Sequence, residues 1–149
     1  MTLSFDLRRA RVEEIIDLRH LMLRQGLPRE SAFFPGDDLA DSRHYGAFQQ
    51  GEVIGCATLH VSQWEAEPAW QLRGMAVARH LMGQGVGKSL LSFLEDDVLA
   101  APVRLLWCNA RVPASAFYQK QGWEICSMPF DIPTAGPHLK MTKRLTSDQ

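Results

Sequence analysis

A glycine-rich segment in the middle of the chain could hold a phosphate group. Residues 82–89 read MGQGVGKS, with glycines at positions 83, 85 and 87 and an apolar helical run after them. Alternate glycines let successive backbone N–H groups turn toward one point, and the positive end of the following helix attracts an anion there. Lys88, in the first turn, could contact a further phosphate. The spacing favours a pyrophosphate site, with a plain strand-to-helix turn as the alternative.

The same segment ends in Gly87-Lys88-Ser89, as the P-loop of nucleotide hydrolases does. That motif needs its first glycine five residues before Gly87, where this chain has Met82. A Cβ at that position makes the tight turn out of the strand costly. The apolar run 103–108 also leads into Asn109 rather than into an aspartate that could hold magnesium. A nucleotide hydrolase is therefore the less favoured interpretation.

The elements that must position this loop follow from hydrophobic periodicity and from turn residues. Three consecutive strands followed by a strand–helix–strand crossover imply a mixed sheet with helices on its faces. We expect a single α/β domain over residues 1–149. The predicted strands are 2–9, 45–49, 53–62, 69–77, 103–108, 123–128 and 139–145, and the predicted helices are 12–25, 86–100 and 113–121.

Composition excludes several classes of protein. Sixteen Lys and Arg against seventeen Asp and Glu give a formal charge of -1, which is no footprint of a nucleic-acid-binding protein. Cys56, Cys108 and Cys126 lie in apolar runs without zinc spacing, so we expect reduced thiols and no metal site. The N-terminus does not read as a signal peptide, and no apolar run approaches the ~18 residues of a membrane span. We expect a cytoplasmic protein that binds neither nucleic acid nor membrane.

The chain resembles the GNAT superfamily of acetyl-CoA-dependent N-acetyltransferases in three segments: QLRGMAV at 71–77, MGQGVGKSLL at 82–91 and NARVPASAFYQKQGW at 109–123. The resemblance implies a mostly antiparallel sheet of six to seven strands with helices on both faces. In that fold the strands 69–77 and 103–108 splay apart around the cofactor. It also implies acetyl-CoA as cosubstrate and a primary amine of a small molecule or peptide as acceptor. The ending PFDIPTAGPHLKM more loosely resembles a bacterial subgroup whose members mostly have no assigned substrate.

The resemblance also assigns roles to residues. Gly85 and Gly87 match the small residues of the family's pyrophosphate turn, whereas Met82 departs from the usual Arg or Gln and contributes mainly through its backbone N–H. Backbone groups of Met75 and Val77 would bind the pantetheine arm and the thioester oxygen. The expected cofactor contacts are Met75, Ala76, Val77, Met82, Gly83, Gln84, Gly85, Val86, Gly87, Lys88, Ser89, Asn109, Phe117 and Tyr118.

Tyr118 is the expected general acid for the CoA thiolate, because a phenol of pKa ~10 is protonated at neutral pH. Helical geometry predicts that Phe117 takes the core face of its short helix and that Tyr118 faces a flanking cleft. A tyrosine that is simply half packed is the alternative. Asn109, at the end of its predicted strand, is expected either to contact the cofactor arm or to form a turn.

The general base is less clearly marked. The family often places a carboxylate on the first motif strand, where this chain has Gln71 and Arg73. Glu67, just before that strand, and His138 are the candidates, the histidine because its pKa suits proton transfer near neutral pH. The reaction could also proceed without a dedicated base.

The acceptor's charge has one sequence indication. An acidic run follows the first helix, formed by Asp37, Asp38 and Asp41. If this run lines the acceptor pocket, it would favour a cationic amine. The alternative is that it is only a solvated loop. Two other functions stay open: a non-catalytic CoA-binding module, since the strand carboxylate is missing, and the nucleotide hydrolase. Dimerisation is common in the resembled family, so a homodimer is a further expectation.

Overall fold

A computed structural model of the chain describes residues 3–146. Within them the backbone forms eight strands and three α-helices, so the mixed, mostly antiparallel α/β sheet is confirmed with one strand more than predicted. The strands follow the hydrogen-bonded order β1-β2-β3-β4-β5-β8-β6, and β7 also pairs with β8. The strands are β1 (Asp6–Ala10), β2 (Arg43–Gln49), β3 (Glu52–Trp64), β4 (Glu67–Val77), β5 (Leu105–Arg111), β6 (Glu124–Ile125), β7 (Phe130–Ile132) and β8 (Gly136–Arg144), and the helices are α1 (Val12–Leu23), α2 (Val86–Val98) and α3 (Ser115–Lys120).

The described residues form two compact units. The first unit comprises residues 3–60 and 73–97, and the second comprises 61–72 and 98–146. Strands β3 and β4 contribute residues to both units. The expectation of one acetyltransferase domain over residues 1–149 stays a prediction. No helix in residues 3–146 is long and apolar enough to cross a membrane.

The first unit packs α1 against the antiparallel strands β1, β2 and β3. Helix α1 begins where the Glu14 carboxylate accepts the Arg11 N–H at 2.9 Å, an N-terminal capping interaction. Its apolar residues Ile15, Ile16 and Leu18 are buried, whereas Leu21, which belongs to the same apolar run, is 53% exposed. Strand β1 begins at Asp6, and its predicted start at residue 2 lies outside the described residues.

The second unit is built around β5 and β8. Strand β4 pairs with β5 in parallel only through Trp70–Leu72 and Leu106–Cys108. Strand β5 runs antiparallel to β8 along 105–111, while β6 and β7 both pair with β8. Strand β5 therefore extends three residues beyond its predicted end, because Asn109, Ala110 and Arg111 also pair with β8.

Two predictions at the C-terminal end of the chain are corrected by this pairing. The segment predicted as one strand, 123–128, contains only the two-residue strand β6. The following segment, predicted as a loop, contains β7, whose three residues pair with the beginning of β8.

Candidate active site

The glycine loop and the end of β4 lie in the first unit, whereas Glu67, Asn109, Phe117, Tyr118 and His138 lie in the second. Within the first unit, Gly83 and Gly85 have positive φ angles of 79° and 90°, a conformation that favours glycine. A Cβ added at either position would meet no atom within 4 Å. The loop therefore exposes bare backbone to open space, the kind of surface on which a diphosphate can rest.

Helix α2 begins directly behind this loop. Its first intrahelical bond is donated by the Ser89 N–H to the Gly85 carbonyl at 3.0 Å. The N–H groups of Val86, Gly87 and Lys88 therefore have no acceptor within the helix, and they lie at the positive end of its dipole. Val86 is buried and anchors the helix start, whereas Lys88 is exposed. These residues fit the diphosphate of CoA.

Met82 does not fit the backbone role expected of it. Its N–H already donates to the Arg79 carbonyl at 3.3 Å and closes a 3₁₀ turn at Arg79–Leu81. Its φ of -63° is not the left-handed conformation that favours glycine, and 61% of the residue is exposed. The donors of this site are therefore expected after Met82, at the start of α2.

The end of β4 combines one buried residue with two half-buried neighbours. Ala76 is buried in the hydrophobic core of the first unit, whereas Met75 and Val77 are half-buried, and Val77 packs against that core. Just before them, Gly74 has a φ of 64°. A Cβ at Gly74 would lie 2.8 Å from Nε of Arg19 and 3.1 Å from the Phe34 ring, so only glycine fits here without a shift of its neighbours.

A buried polar network, which the sequence did not reveal, connects α1 with the loop that follows it. Arg19 is fully buried on the core face of α1 and donates to the Asp37 carboxylate at 2.6 Å and to the Thr58 hydroxyl at 2.7 Å. His60 donates its Nε2 proton to the same carboxylate at 2.9 Å. His44 donates from Nε2 to the Asp37 carbonyl at 2.9 Å, so its Nδ1 accepts the Thr58 hydroxyl proton at 2.8 Å. We call these five residues the Arg19 network.

The Arg19 network corrects the interpretation of the acidic run. Burial alone would raise the pKa of the Asp37 carboxyl, but hydrogen bonds from His60, Arg19 and the Phe34 N–H outweigh burial and hold that pKa well below its usual range. Asp37 is thus a buried anion neutralised by Arg19 and not an open negative charge for a cationic ligand. Asp38 and Asp41 are exposed, as a solvated loop would have them.

Three guanidinium groups surround the ring of Phe34, which is itself buried. The Cζ atoms of Arg19, Arg73 and Arg24 lie 4.2, 4.4 and 5.1 Å from the ring centroid. We call these four residues the Phe34 cluster. Burial lowers the pKa of Arg73, Asp37 opposes that effect, and the charges of Arg24 and Arg19 lower the pKa further. The cluster is a concentration of positive charge beside the end of β4.

In the second unit, Tyr118 and Phe117 exchange the faces predicted for them. Tyr118 is 8% exposed and Phe117 is half-buried, with ring centroids 5.2 Å apart. The Tyr118 ring also lies 5.5 Å from that of Trp123. A 3₁₀ turn at Val112–Ala114 precedes α3. Because a 3₁₀ turn has fewer residues per turn than an α-helix, regular α-helical spacing counted from Ala114 assigns Phe117 and Tyr118 to the wrong faces. Burial raises the pKa of Tyr118, which keeps the phenol protonated at neutral pH.

The remaining candidates of the second unit all have partners within it. Asn109 lies inside β5 and not at its end, and its side-chain oxygen accepts a hydrogen bond from Lys140 at 3.2 Å. Glu67 forms an exposed two-bond ion pair with Arg144 at 2.7 and 3.0 Å, and this hydrogen bonding lowers the pKa of its carboxyl. His138 is buried and donates its Nδ1 proton to the Gly136 carbonyl at 2.8 Å.

Solved structures of other proteins share the fold of this chain. The crystal structure of ElaA from Escherichia coli has a TM-score of 0.78 at 20% identity, covering 95% of this chain and 100% of that one. An aminoglycoside 6'-N-acetyltransferase in complex with coenzyme A has a TM-score of 0.75 at 15% identity, covering 93% and 96%. At these identities the likeness shows the fold alone.

Sequence similarity establishes the family. The model of the acetyltransferase (GNAT) family matches residues 12–123. The uncharacterized N-acetyltransferase YitI of Bacillus subtilis (strain 168) is 32% identical over 144 residues, which cover 93% of this chain and 95% of that protein. The chain therefore belongs to the GNAT acetyltransferase family, and the predicted enzyme class, a GNAT-type N-acetyltransferase, is confirmed.

Proposed function

We propose that this protein transfers the acetyl group of acetyl-CoA to a primary amine of a small molecule or peptide. The observation that carries the proposal is the glycine loop, where Gly83 and Gly85 leave the backbone open before the N-terminus of α2. Its family is one of acetyltransferases, and the aminoglycoside 6'-N-acetyltransferase of the same fold was crystallised with coenzyme A. Both findings support acetyl-CoA as the cosubstrate.

The first unit would hold and align the cosubstrate. Acetyl-CoA, when bound, supplies an acetyl thioester whose carbonyl carbon an amine can attack. The N–H groups of Val86, Gly87 and Lys88 bind the diphosphate, and the Lys88 ammonium binds a further phosphate. The backbone of Met75 and Val77 aligns the pantetheine arm. Such positioning supplies most of the rate enhancement, because it makes the attack effectively unimolecular.

Tyr118 and one base are the groups proposed for proton transfer. The Tyr118 phenol carries a proton at neutral pH, because burial raises its pKa. We propose that it donates this proton to the departing sulfur as the thiolate forms, although the raised pKa makes it a weaker acid than a free phenol. Of the two base candidates, His138 is the better placed chemically, because its Nδ1–H is used by Gly136 and Nε2 is left as the nitrogen that accepts a proton. Glu67 is the weaker base, since its pairing with Arg144 lowers its pKa.

Calorimetric titration with acetyl-CoA, beside a titration with ATP and magnesium, tests the cosubstrate. We expect binding of acetyl-CoA alone. Gly85→Asp should abolish it through charge repulsion at the diphosphate site, whereas Gly51→Asp should not. Gly51 is the matched control because its φ of 83° is also positive and a Cβ there would also meet no atom within 4 Å. Magnesium-dependent binding of ATP alone would reinstate the nucleotide hydrolase.

Tyr118→Phe tests the acid. The chain's other tyrosine, Tyr45, gives the control Tyr45→Phe, because its hydroxyl bonds Asp97 in the first unit. Release of free CoA thiol should slow about a hundredfold or more in Tyr118→Phe, the typical size of general acid catalysis, with unchanged affinity for acetyl-CoA. Wild-type turnover in Tyr118→Phe would refute the acid role. Tight acetyl-CoA binding with no transfer to any amine of a broad panel would instead favour the non-catalytic module.

A further inference from the structure

Arg73 differs from the other charged residues buried near it. Its guanidinium is half-buried and stacks 4.4 Å from the centroid of Phe34. Among residues 3–146 it has no hydrogen bond and no ion pair, only this ring contact and longer-range electrostatic interactions. Partial burial removes part of a cation's hydration, so a half-buried guanidinium favours an anionic partner. Arg73 is therefore a donor group without a partner in the described part of the chain.

The nearby carboxylate cannot serve Arg73, because its oxygens are already used. One oxygen of Asp37 accepts from Arg19 at 2.6 Å and from the Phe34 N–H at 2.7 Å. The other accepts from His60 at 2.9 Å and faces the second Arg19 nitrogen at 3.5 Å. Arg73 thus lies near a carboxylate that Arg19 already neutralises, and an additional anion would be electrostatically favoured beside Arg73.

We propose that Arg73, with the charge of Arg24 beside it, binds a carboxylate of the acetyl acceptor, so that the acceptor is an anionic amine such as a free amino acid. A guanidinium presents a planar fork of donors that matches a carboxylate, and stacking on Phe34 holds that fork in place. The inference rests on the proposed function, which aligns the cosubstrate along Met75. Arg73 is two residues before Met75, at most about 7 Å of extended chain, so one small molecule can span both positions.

Matched pairs of amines test this acceptor class. We would compare β-alanine with β-alaninamide and 4-aminobutyrate with 4-aminobutanamide, following release of CoA thiol. The carboxylate members should have a kcat/KM about ten- to a hundredfold higher, the effect of a charge-assisted hydrogen bond. The amine of an amide compound is easier to deprotonate than that of the matching carboxylate. Intrinsic reactivity alone would therefore favour the amide compounds. An amide preference in the wild-type protein would overturn the inference.

Arg73→Gln should remove the preference, mainly by raising KM for the carboxylates, and Arg73→Lys should keep part of it because the charge remains. Arg29→Gln is the control, since Arg29 is an exposed arginine of the first unit that pairs with Asp17 on the surface. Acetyl-CoA affinity should be equal in all these variants. A carboxylate preference that survives in Arg73→Gln contradicts the assignment.

A binding measurement tests the inference whether or not the proposed function is correct. Glutarate and 1,5-diaminopentane are of similar length and opposite charge, and a ligand that binds the native state raises the thermal unfolding midpoint. At matched ionic strength, glutarate should raise the midpoint of the wild-type protein and of Arg29→Gln but not of Arg73→Gln, and the diamine should raise none. No shift with glutarate, or an equal shift in Arg73→Gln, overturns the carboxylate site. Failure of acetyl-CoA to bind would overturn the proposed function alone.

Discussion

Asp37→Asn is the sharpest test of the Arg19 network. The substitution removes the carboxylate that accepts bonds from Arg19 at 2.6 Å, from the Phe34 N–H at 2.7 Å and from His60 at 2.9 Å. It leaves the fully buried Arg19 cation without its counter-charge. Because an asparagine NH₂ is a donor, at least one of the three donors around it would face another donor instead of an acceptor.

The expected loss is large for this chain. Removing one partner of a buried ion pair costs about 3–5 kcal/mol, a large part of the 5–15 kcal/mol that stabilises a typical protein. For a chain of this size that corresponds to a fall of roughly 6–20 °C in the thermal midpoint. Urea denaturation at pH 7 measures the free energy of unfolding. Asp38→Asn is the matched control, since Asp38 is exposed and should change that free energy by no more than about 0.5 kcal/mol.

The pH dependence of the free energy of unfolding supplies a second check, because the direction of its change is known. The folded-state pKa of Asp37 is held below its unfolded value of about 3.9, so the ion pair contributes fully above pH ~4. Below that pH the unfolded chain binds a proton that the folded chain does not. The difference in free energy of unfolding between wild type and Asp37→Asn should therefore shrink, by up to about 1.4 kcal/mol for each unit by which the pH falls. A loss under 1 kcal/mol at pH 7, or a gap that is constant down to pH 3, would refute this reasoning.

Two further predictions concern the packing of the chain. Gly74→Ala should lower the free energy of unfolding by roughly 2–5 kcal/mol in urea denaturation, since a Cβ adds both the left-handed backbone cost and a 2.8 Å contact with Arg19. Gly51→Ala has the same backbone cost without a close contact, so its free energy of unfolding should fall by only about 1–2 kcal/mol. Equal losses in the two variants would contradict the close approach of Arg19 to Gly74. A chromogenic disulfide reagent should modify Cys126 alone in the native protein and all three cysteines in denaturant. The reason is that burial raises the pKa of Cys56 and of Cys108 to about 12, whereas Cys126 is exposed. Rapid reaction of a second thiol in the native protein would show that one buried cysteine is accessible.

The elements of the fold were predictable wherever a local pattern decides the structure. The apolar spacing of α1 and α2 and the glycines of the loop carry their own signals, and the structure places those elements close to the predicted bounds. The short strand β7 was missed because it has three residues and depends on pairing with β8. The continuation of β5 through Asn109 depends on β8 in the same way, and such pairing lies outside any local window.

The candidate site was predictable in its backbone part and not in its side-chain part. Gly83 and Gly85 could be recognised because the chemistry there requires glycine and uses only backbone. Arg19 reads as a polar position on α1, and nothing nearby marks it as buried. Its partners Asp37 and Thr58 lie 18 and 39 residues further along the chain, so only the folded structure identifies the network. The expected faces of Phe117 and Tyr118 failed because a 3₁₀ turn precedes their helix.

The Arg19 network is better explained by what it positions than by what it stabilises. A buried ion pair contributes little net stability compared with apolar residues of similar volume, so stability alone gives no reason for a buried arginine on α1. Arg19 instead fixes Asp37, whose carboxylate holds the Phe34 N–H at 2.7 Å, and Phe34 is the ring on which Arg73 stacks. Gly74 lets Arg19 and Phe34 approach the backbone between Arg73 and Met75. The network thereby joins the proposed carboxylate site to the strand that is proposed to align the cosubstrate.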